Sequence, residues 1–461
     1  MLSRGDPCNT TGGHRHSPPK ICRISDLVHQ CPAIGRLVSL EYIANRKTKD
    51  SARKTTGLAP MARIAVIGAG AAGLAAAYRL ACDGRHVVTV LERQQRVGGR
   101  ALTLDIGLPK GLVAQAGPTR FLPHFGRVFE LARKFDHATC PFYPATGTMV
   151  ALLGGNRIAP YQPQGGEFWG YPEDIDCGHA FIVAAGVRLA RKLRNTVPRI
   201  LARGTKSTFM IRDGTQGLIE SLSDHAKIEI RLDCRVRSIE TVSGGVSVDF
   251  EADGRSESSH FDFAICAVPL SELLKIAISP ALPPILAELA GTVPYSSALR
   301  IYLRLRRPYW RDEGLNGFGM SDTLGEIWSA GPAADGEAML VTYAKAGQAD
   351  RLDVLSERDL ITFALDEIDN IFPGVREHFV SGKAFSWKRQ VWIGGGWPLA
   401  PDGFEEKSCS FRTPLGRICF AGDHATVRSY LSTVEGALES GEHAARSIEQ
   451  MTAKNSGLAR L

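Results

Sequence analysis

The residues RIAVIGAGAAG at positions 63–73 carry the strongest fold signal in this chain. The first five are a short apolar run rich in β-branched side chains, which predicts a buried parallel strand. The run leads directly into Gly68, Gly70 and Gly73, and helix-favouring residues 74–80 follow. This is the G-x-G-x-x-G spacing of a dinucleotide-binding turn. Gly68 permits the turn, Gly70 lets the backbone approach a pyrophosphate, and Gly73 lets the helix pack on the strand.

A second predicted strand, residues 86–91, ends at Glu92, 19 residues beyond Gly73. A carboxylate at this spacing is expected to bind ribose hydroxyls, and it favours an unphosphorylated ribose over NADP. The helix N-terminus around Ala72 offers N–H groups and a positive dipole to phosphates. These residues alone leave NAD and FAD both open.

Composition sets the broad class of the protein. The 461 residues suggest two or three structural units. No stretch reaches the roughly 18 unbroken apolar residues of a membrane span. Residues 1–60 carry ten Lys/Arg against four Asp/Glu, which leaves 45 against 44 in residues 61–461. The nearly neutral body gives no indication of nucleic-acid binding, and the scattered cysteines and histidines predict no metal site.

Residues 1–60 lack sustained periodicity and are rich in Arg, Lys, Ser, Thr, Gly and Pro. We interpret them as a disordered extension or as a non-native segment, with translation beginning at Met61. An organellar leader is the alternative, although four acidic residues and a poor amphipathic pattern argue against it. A soluble, cytoplasmic protein is expected.

The next segment distinguishes the two cofactors by resemblance. Residues 92–100 (ERQQRVGGR) resemble the second glycine motif of the flavin-containing amine oxidase superfamily, which includes monoamine, polyamine and L-amino-acid oxidases. A glycine pair between arginines can lie flat against a diphosphate while the guanidiniums neutralise it. The resemblance implies an α/β fold, a Rossmann-like FAD-binding domain of the GR2 type with an inserted α+β substrate-binding domain.

Five further blocks extend the resemblance over residues 61–450. They are AGPTR at 116–120 beside the flavin ring, residues 209–218 at a helix start, residues 234–239 and 263–269 as strands, and FAGD at 420–423 followed by residues 432–441. The implied FAD-binding domain comprises residues 61–140, 211–271 and 386–450, the substrate domain residues 141–210 and 272–385, and residues 451–461 form a tail.

The resemblance also implies the residues that bind FAD. The expected set is Gly68, Gly70, Ala72, Gly73, Glu92, Arg93, Gly98, Gly99, Arg100, Gly117, Pro118, Thr119, Arg120, Val236, Gly422, Asp423, Thr433 and Val434. Within this set Val236 is expected to contact the adenine through its backbone, and Asp423 to face the ribityl–phosphate region.

The segment from Ser432 to Glu435 reads as a capping box that opens a helix. In the family this helix points its N-terminus at the flavin pyrimidine edge, where its dipole stabilises the anionic reduced flavin. Gly396 stands where some monoamine oxidases attach FAD through a cysteine, so FAD is expected to bind without a covalent link.

Arg120 resembles the arginine with which L-amino-acid oxidases hold the substrate carboxylate. A planar guanidinium suits a bidentate grip on a carboxylate. The alternative is that Arg120 pairs with an internal acid or touches only FAD. Trp397 and Thr433 are the further candidate substrate contacts, because they stand where monoamine oxidases have the two walls of an aromatic cage.

Arg300 and Trp397 are the candidate catalytic residues. Arg300 replaces a lysine that the family links through water to flavin N5 and associates with the reaction with dioxygen. Because arginine is bulkier and does not deprotonate usefully, the exchange leaves oxidase and dehydrogenase activity both open. Trp387 and Trp392 are expected in the core, the default for large apolar side chains.

The resemblance implies oxidation of the C–N bond of an amine, most specifically an L-amino acid or derivative. A hydride passes to flavin N5, the imine hydrolyses, and O2 or another acceptor reoxidises the flavin, with H2O2 as the product of O2. A flavin desaturase of the phytoene or protoporphyrinogen type and a non-catalytic flavoprotein are the alternatives. The residues leave the oligomeric state undecided, and a homodimer is compatible with them.

Overall fold

The computed structural model describes residues 62–458 except 83, 145–146, 162–207, 332, 334–335, 402 and 428–429. The sequence-based interpretations of residues 1–60 and of most of residues 141–210 therefore lie outside the described residues. No helix among the described residues is both long and apolar enough to cross a membrane.

Twenty strands are formed by the described residues. In chain order, β1 to β10 are Arg63–Ile67, Val87–Leu91, Thr103–Leu104, Ala114–Gln115, Thr139–Pro141, Thr148–Leu153, Asn156–Tyr161, Phe209–Ile211, Ile228–Arg231 and Arg235–Val242. Strands β11 to β20 are Gly245–Ala252, Arg255–Phe261, Phe263–Cys266, Ala277–Ser279, Ala298–Leu305, Leu315–Ser321, Gly325–Ala330, Ala338–Lys345, Phe379–Ser386 and Ile418–Phe420.

Ten α-helices lie within the described residues. Helices α1 to α5 are Ala71–Ala81, Gly126–Lys134, Thr215–Asp224, Leu270–Leu273 and Pro284–Thr292. Helices α6 to α10 are Gly347–Leu352, Glu357–Ile371, Val375–His378, Phe404–Ser408 and Val434–Leu458. Short 3-10 helices span Tyr309–Glu313 and Cys409–Arg412.

The predicted Rossmann-like sheet is confirmed. Five parallel strands lie in the order β20-β13-β1-β2-β9, and β1 is central. Val66 pairs with Ile265 on one side and Val90 on the other. All but the first residue of β1 is buried, as expected for a strand covered on both faces. Because β1 and β2 neighbour each other, the glycine turn and Glu92 emerge at the same edge of the sheet.

A four-stranded sheet in the order β12-β11-β10-β14 stands beside the parallel sheet. Its strand β14 and the following helix α5 belong to the segment predicted as substrate domain from residue 272. In the structure Leu286, Leu289 and Val293 instead pack in one cluster with Ile67 and Val236. The apolar face of α5 is therefore buried against the cofactor domain, and the predicted boundary at 272 is too early.

The third large sheet has seven strands in the order β19-β15-β18-β17-β16-β6-β7. Leu299, Ile301 and Leu303 of β15 pack with residues of helix α7. Since side chains alternate across a strand, Arg300 and Tyr302 face the opposite way. Tyr302 there joins a cluster of large apolar residues from the same sheet. This second face is the one that carries Arg300, a candidate catalytic residue.

Helix α10 closes the cofactor domain by packing on α1. A Cβ added at Gly441 would lie 2.1 Å from the carbonyl oxygen of Ala72, so the two helices touch through their backbones. Ala437, Leu438 and Ala444 of α10 share a core cluster with α1. The helix continues to Leu458, so the predicted tail from residue 451 is mostly the last turns of this helix.

Candidate functional site

The glycine turn between β1 and α1 has the predicted geometry. Gly68 has a φ of +102°, and its N–H donates to the carbonyl of Leu91 at 2.9 Å. A Cβ added at Gly73 would lie 1.9 Å from the carbonyl oxygen of Gly68, whereas a Cβ at Gly70 would meet nothing within 4 Å. The turn and the close helix–strand contact are thus confirmed, and the space at Gly70 suits a pyrophosphate. Ala72 is buried in the first turn of α1.

The second glycine loop packs directly on the first. The N–H of Gly98 donates to the carbonyl of Ala69 at 2.8 Å. A Cβ added at Gly99 would come within 3.1 Å of the Cα of Gly70. The two loops therefore form one continuous backbone surface, with open space in front of Gly70.

Glu92 is anchored at this surface. Its carboxylate accepts the N–H of Ala69 at 2.7 Å and that of Gln94 at 2.8 Å. Burial raises the pKa of Glu92, while these hydrogen bonds act in the opposite direction. The N–H of Cys234 donates to the carbonyl of Glu92 at 2.8 Å, which places Val236 and its strand beside the predicted ribose position. The predicted ribose and adenine contacts are thus neighbours.

Arg93 follows Glu92 and lies under Trp392. The guanidinium carbon is 3.1 Å from the centre of the indole ring, and Nη1 is 3.5 Å from a carboxylate oxygen of Glu272. Trp392 is 43% exposed, so its predicted place in the core is wrong. Trp387 is 5% exposed and its indole N–H donates to the carbonyl of Ala116, which confirms the core prediction for that residue.

Arg100 and Asp423, predicted separately as FAD contacts, form a buried bidentate pair. Their two nitrogen–oxygen distances are 2.6 and 2.9 Å, and Arg100 also donates to the carbonyl of Gly396 at 3.1 Å. Burial by itself would raise the pKa of Asp423, but the charge of Arg100 holds it well below its usual range. The charge that Arg100 presents to a diphosphate is therefore already balanced within the protein.

The N-terminus of α10 differs from the predicted capping box. The helix begins at Val434, and the hydroxyl of Thr433, not that of Ser432, accepts the N–H of Gly436 at 3.0 Å. Glu435 turns away from its own helix and accepts the N–H groups of Arg127 and Val128 at the start of α2. No described residue accepts the N–H of Val434 or Glu435, which leaves two donors at the predicted flavin end.

The turn before α10 is tied to the helix by a residue that the sequence did not single out. Ser440 donates to the carbonyl of Gly422 at 2.8 Å and accepts its N–H at 2.9 Å. The hydroxyl lies one and a half turns into α10, so the turn carrying Asp423 is held against the helix. The only sequence signal was a small polar residue on an otherwise buried helical face.

The loop with Gly117, Pro118 and Thr119 is fixed from three sides. A Cβ added at Gly117 would lie 2.1 Å from the carbonyl oxygen of Arg100, so the loop runs against the second glycine motif. Thr215 donates to the carbonyl of Pro118 at 2.7 Å. The hydroxyl of Thr119 accepts a hydrogen bond from Arg300 at 2.9 Å. The predicted flavin loop therefore connects the cofactor surface with the seven-stranded sheet.

Arg120 forms an ion pair with an internal acid, one of the two alternatives raised by its sequence context. Its two terminal nitrogens donate to Glu326 at 2.6 and 3.3 Å. Lys345, from the neighbouring strand, donates to the same carboxylate. Burial would raise the pKa of Glu326, but Arg120 and Lys345 hold it well below its ordinary value. Sequence reasoning missed Glu326 and Lys345, although each stands in an otherwise apolar strand.

Arg300, Tyr343 and Trp397 lie close together, and the Tyr343 ring also contacts Lys345. The guanidinium carbon of Arg300 is 4.4 Å from the centre of the Tyr343 ring and 5.3 Å from that of Trp328. The rings of Tyr343 and Trp397 are 6.4 Å apart. The two candidate catalytic residues thus meet through Tyr343, which the sequence analysis did not identify. Register explains the grouping, because Arg300 lies opposite Tyr343 in adjacent strands.

A cavity of about 390 Å³ adjoins the flavin loop on the side of the seven-stranded sheet. Thr119 lines its inner end, and aromatic side chains including Phe142, Tyr143, Phe318 and Trp328 form much of its wall. The volume is sufficient for a small organic side chain.

Comparison with known proteins agrees with this architecture. The family model "flavin containing amine oxidoreductase" matches residues 198–449, more than half of the chain, and an NAD(P)-binding Rossmann-like domain matches residues 66–135. The flavin-dependent L-tryptophan oxidase of Lentzea aerocolonigenes is 24% identical over 84% of this chain and 98% of its own length. An L-amino acid oxidase of Bothriechis schlegelii is 23% identical over 86% and 91%.

Solved structures share the fold. Putrescine oxidase bound to putrescine superimposes with a TM-score of 0.67 at 20% identity, covering 85% of this chain and 99% of the other. Cyclohexylamine oxidase of Brevibacterium oxydans IH-35A gives the same TM-score, identity and coverage.

Proposed function

Since the chain belongs to the flavin-containing amine oxidoreductase family, we propose that this enzyme uses non-covalent FAD to oxidise the C–N bond of an α-amino acid or a derivative. The single observation that carries the substrate class is the charge of the cleft. Among the described residues, two cationic side chains, Arg120 and Lys345, share one carboxylate, Glu326, and a third, Arg300, lies against the ring of Tyr343. A surplus of positive charge beside the flavin loop favours a substrate with a carboxylate.

The residues of the cofactor domain fit FAD. The open space at Gly70 admits a pyrophosphate, Glu92 suits ribose hydroxyls, and the N–H groups of Val434 and Glu435 suit the pyrimidine edge of the flavin. When bound, FAD supplies the two-electron acceptor that takes a hydride from the substrate. Gly396 offers no side chain for a thioether, which supports non-covalent binding.

The protein's own contribution is to orient the substrate and exclude water. Trp397 and Tyr343 form an aromatic wall next to the flavin loop, and Arg300 lies on the face of Tyr343. Thr433 caps the helix rather than closing an aromatic cage. Arg120 stays a candidate for the carboxylate, although its guanidinium would then contact both the substrate and Glu326. Such fixed charges lower the cost of orienting a C–H bond at the flavin.

The substrate class is tested by anaerobic reduction of the bound flavin, followed by its absorbance. Each L-amino acid is compared with the amine that lacks only the carboxylate. We expect the amino acid to reduce the flavin at least about tenfold more efficiently, equivalent to about 1.4 kcal/mol of transition-state binding. Equal efficiency for both members of every pair would refute the assignment.

The electron acceptor is tested separately. Peroxide formation in air is compared with reduction of an artificial dye, because Arg300 stands where the oxidases of this superfamily have lysine. We propose O2 as the acceptor, with H2O2 as its product. Rapid dye reduction without peroxide would identify an amine dehydrogenase.

A further inference from the structure

Arg300 differs from the other buried cations of the cleft in having no acidic partner among the residues that the structure describes. Arg100 is paired with Asp423, and both Arg120 and Lys345 are paired with Glu326. Arg300 is only 5% exposed, and no described acidic residue forms an ion pair with it. A buried charge costs free energy unless an opposite charge or a full set of hydrogen bonds compensates it. The cleft therefore carries one positive charge that the described residues leave unbalanced.

We propose that Arg300 is the principal anion-binding residue of the cleft and takes the carboxylate of the substrate, with Arg120 in a secondary role. This inference rests on the proposed function, because it specifies which residue recognises the substrate class named there.

The contacts of Arg300 hold its guanidinium in place without neutralising it. Nη1 donates to the backbone carbonyl of Gln115 and to the hydroxyl of Thr119, both uncharged. The rings of Tyr343 and Trp328 lie against the group at 4.4 and 5.3 Å. Two neutral acceptors on one nitrogen and two aromatic rings make the side chain rigid before a ligand arrives.

One donor of the guanidinium has no acceptor. Nε of Arg300 is buried and has no hydrogen-bond partner among the described residues. Arginine can bind a carboxylate through two parallel hydrogen bonds, and the edge of the guanidinium that includes Nε is one of the edges that can do so. A substrate carboxylate would supply both the missing acceptor and the missing negative charge.

Arg120 is the less favourable receptor because it already has a counter-ion. Both of its terminal nitrogens are bonded to Glu326, which Lys345 also contacts. A second carboxylate at Arg120 has to approach Glu326, and two like charges so close repel each other. Arg300 has no such competitor among the described residues.

The test is equilibrium binding of benzoate to the FAD-loaded enzyme, followed through the perturbation of the flavin absorbance spectrum. Arg300→Met should weaken binding roughly 10- to 100-fold, the usual range for losing hydrogen bonds to a charged group. Arg300→Lys should lose less affinity than Arg300→Met, because the charge remains although the second parallel hydrogen bond is lost. Arg120→Met tests the competing site and should weaken binding less than Arg300→Met, since Arg120 is already paired with Glu326. Arg304→Met, on the same strand as Arg300 and paired with Glu337, is the matched control and should change the affinity less than about threefold.

Benzamide titration of the wild-type enzyme gives a second measurement that needs no variant. Benzoate should bind at least about tenfold tighter than this uncharged analogue; equal affinity overturns the proposal even if Arg300→Met does not fold. A large loss of benzoate affinity in Arg120→Met, with the affinity kept in Arg300→Met, also overturns it.

Failure of the two proposals is distinguishable. If amines reduce the flavin but benzoate leaves the flavin spectrum unchanged, amine oxidation stands and the anion site is refuted. Arg300-dependent benzoate binding without flavin reduction by any amine or amino acid supports the site and refutes the function.

Discussion

Alanine substitutions at Gly70 and Gly73 should separate flavin binding from folding. Gly70 has a φ of −79° and a ψ of −179°, which any L-residue adopts, and a Cβ there meets no heavy atom within 4 Å. A Cβ at Gly73 would lie 1.9 Å from the carbonyl oxygen of Gly68 and 3.2 Å from Cγ1 of Val66. The first change therefore enters empty space, whereas the second collides with backbone.

The structure gives the expected magnitudes. Gly70→Ala should leave the stability of the apoprotein unchanged or raise it by about 0.4–1 kcal/mol, because alanine restricts the unfolded chain. Gly73→Ala should lower the free energy of unfolding by about 1–3 kcal/mol, the usual cost of overpacking. FAD binding should respond differently, because Gly70→Ala places a methyl group where the pyrophosphate would lie. The affinity of Gly70→Ala for FAD should therefore fall at least about tenfold, or 1.4 kcal/mol.

Urea unfolding of the apoproteins and titration with FAD, followed by quenching of flavin fluorescence, measure the two effects independently. Gly126→Ala is the matched control, because a Cβ there also meets nothing within 4 Å and Gly126 lies outside the predicted FAD-binding residues. Like Gly70→Ala, it should leave the stability unchanged or raise it by about 0.4–1 kcal/mol, but it should leave the affinity for FAD unchanged. The reasoning is refuted if Gly70→Ala binds FAD like the wild type, or if its apoprotein is as unstable as that of Gly73→Ala.

Three further perturbations test the charges and the helix cap. Glu326→Gln should lower the free energy of unfolding by about 3 kcal/mol, because Lys345 and Arg120 lose their shared counter-charge; urea denaturation measures the loss, and adding Lys345→Met should recover part of it. Thr433→Ala should cost about 1 kcal/mol in thermal unfolding as the loss of an N-cap, and an unchanged melting temperature would contradict the assignment of Thr433 as the cap. The folded-state pKa of Asp423 lies below its ordinary value of about 3.9, so its stabilising contribution is complete above that ordinary value and is lost as the pH falls from there through the lower folded-state pKa. Asp423→Asn should therefore flatten the pH dependence of stability below about pH 5; an unaltered slope would exclude this carboxyl as its source.

Local sequence was sufficient for the cofactor domain. The glycine turn depends on steric rules within a few residues: Gly68 needs a positive φ, and Gly73 must accommodate the carbonyl of Gly68. The strand Arg63–Ile67 and the start of α10 are likewise visible as local patterns of apolar and capping residues. Even here the sequence misassigned the cap, because Ser432 and Thr433 are chemically alike and only the backbone path shows which one the helix uses.

Sequence patterns did not predict which charged residues pair with each other. Arg100 and Asp423 were each expected to face FAD, yet they bind each other across 323 positions of the chain. The partner of Arg120 could not be identified, since Glu326 and Lys345 occur in apolar strands without any motif. Likewise, Trp387 and Trp392 look alike in the sequence, but only Trp387 is buried.

The sequence by itself determined the Rossmann-like turn, the glycine pair of the second loop and the helix that begins near Ser432, because each follows from backbone sterics or hydrogen bonding within one element. Only the tertiary structure decided which charges are compensated in the cleft. The register of β15 against β18 places Arg300 over Tyr343, while β17 brings Glu326 to Arg120 and Lys345. Electrostatic balance depends on distances between elements far apart in the chain, and those distances are set by how the sheets pack.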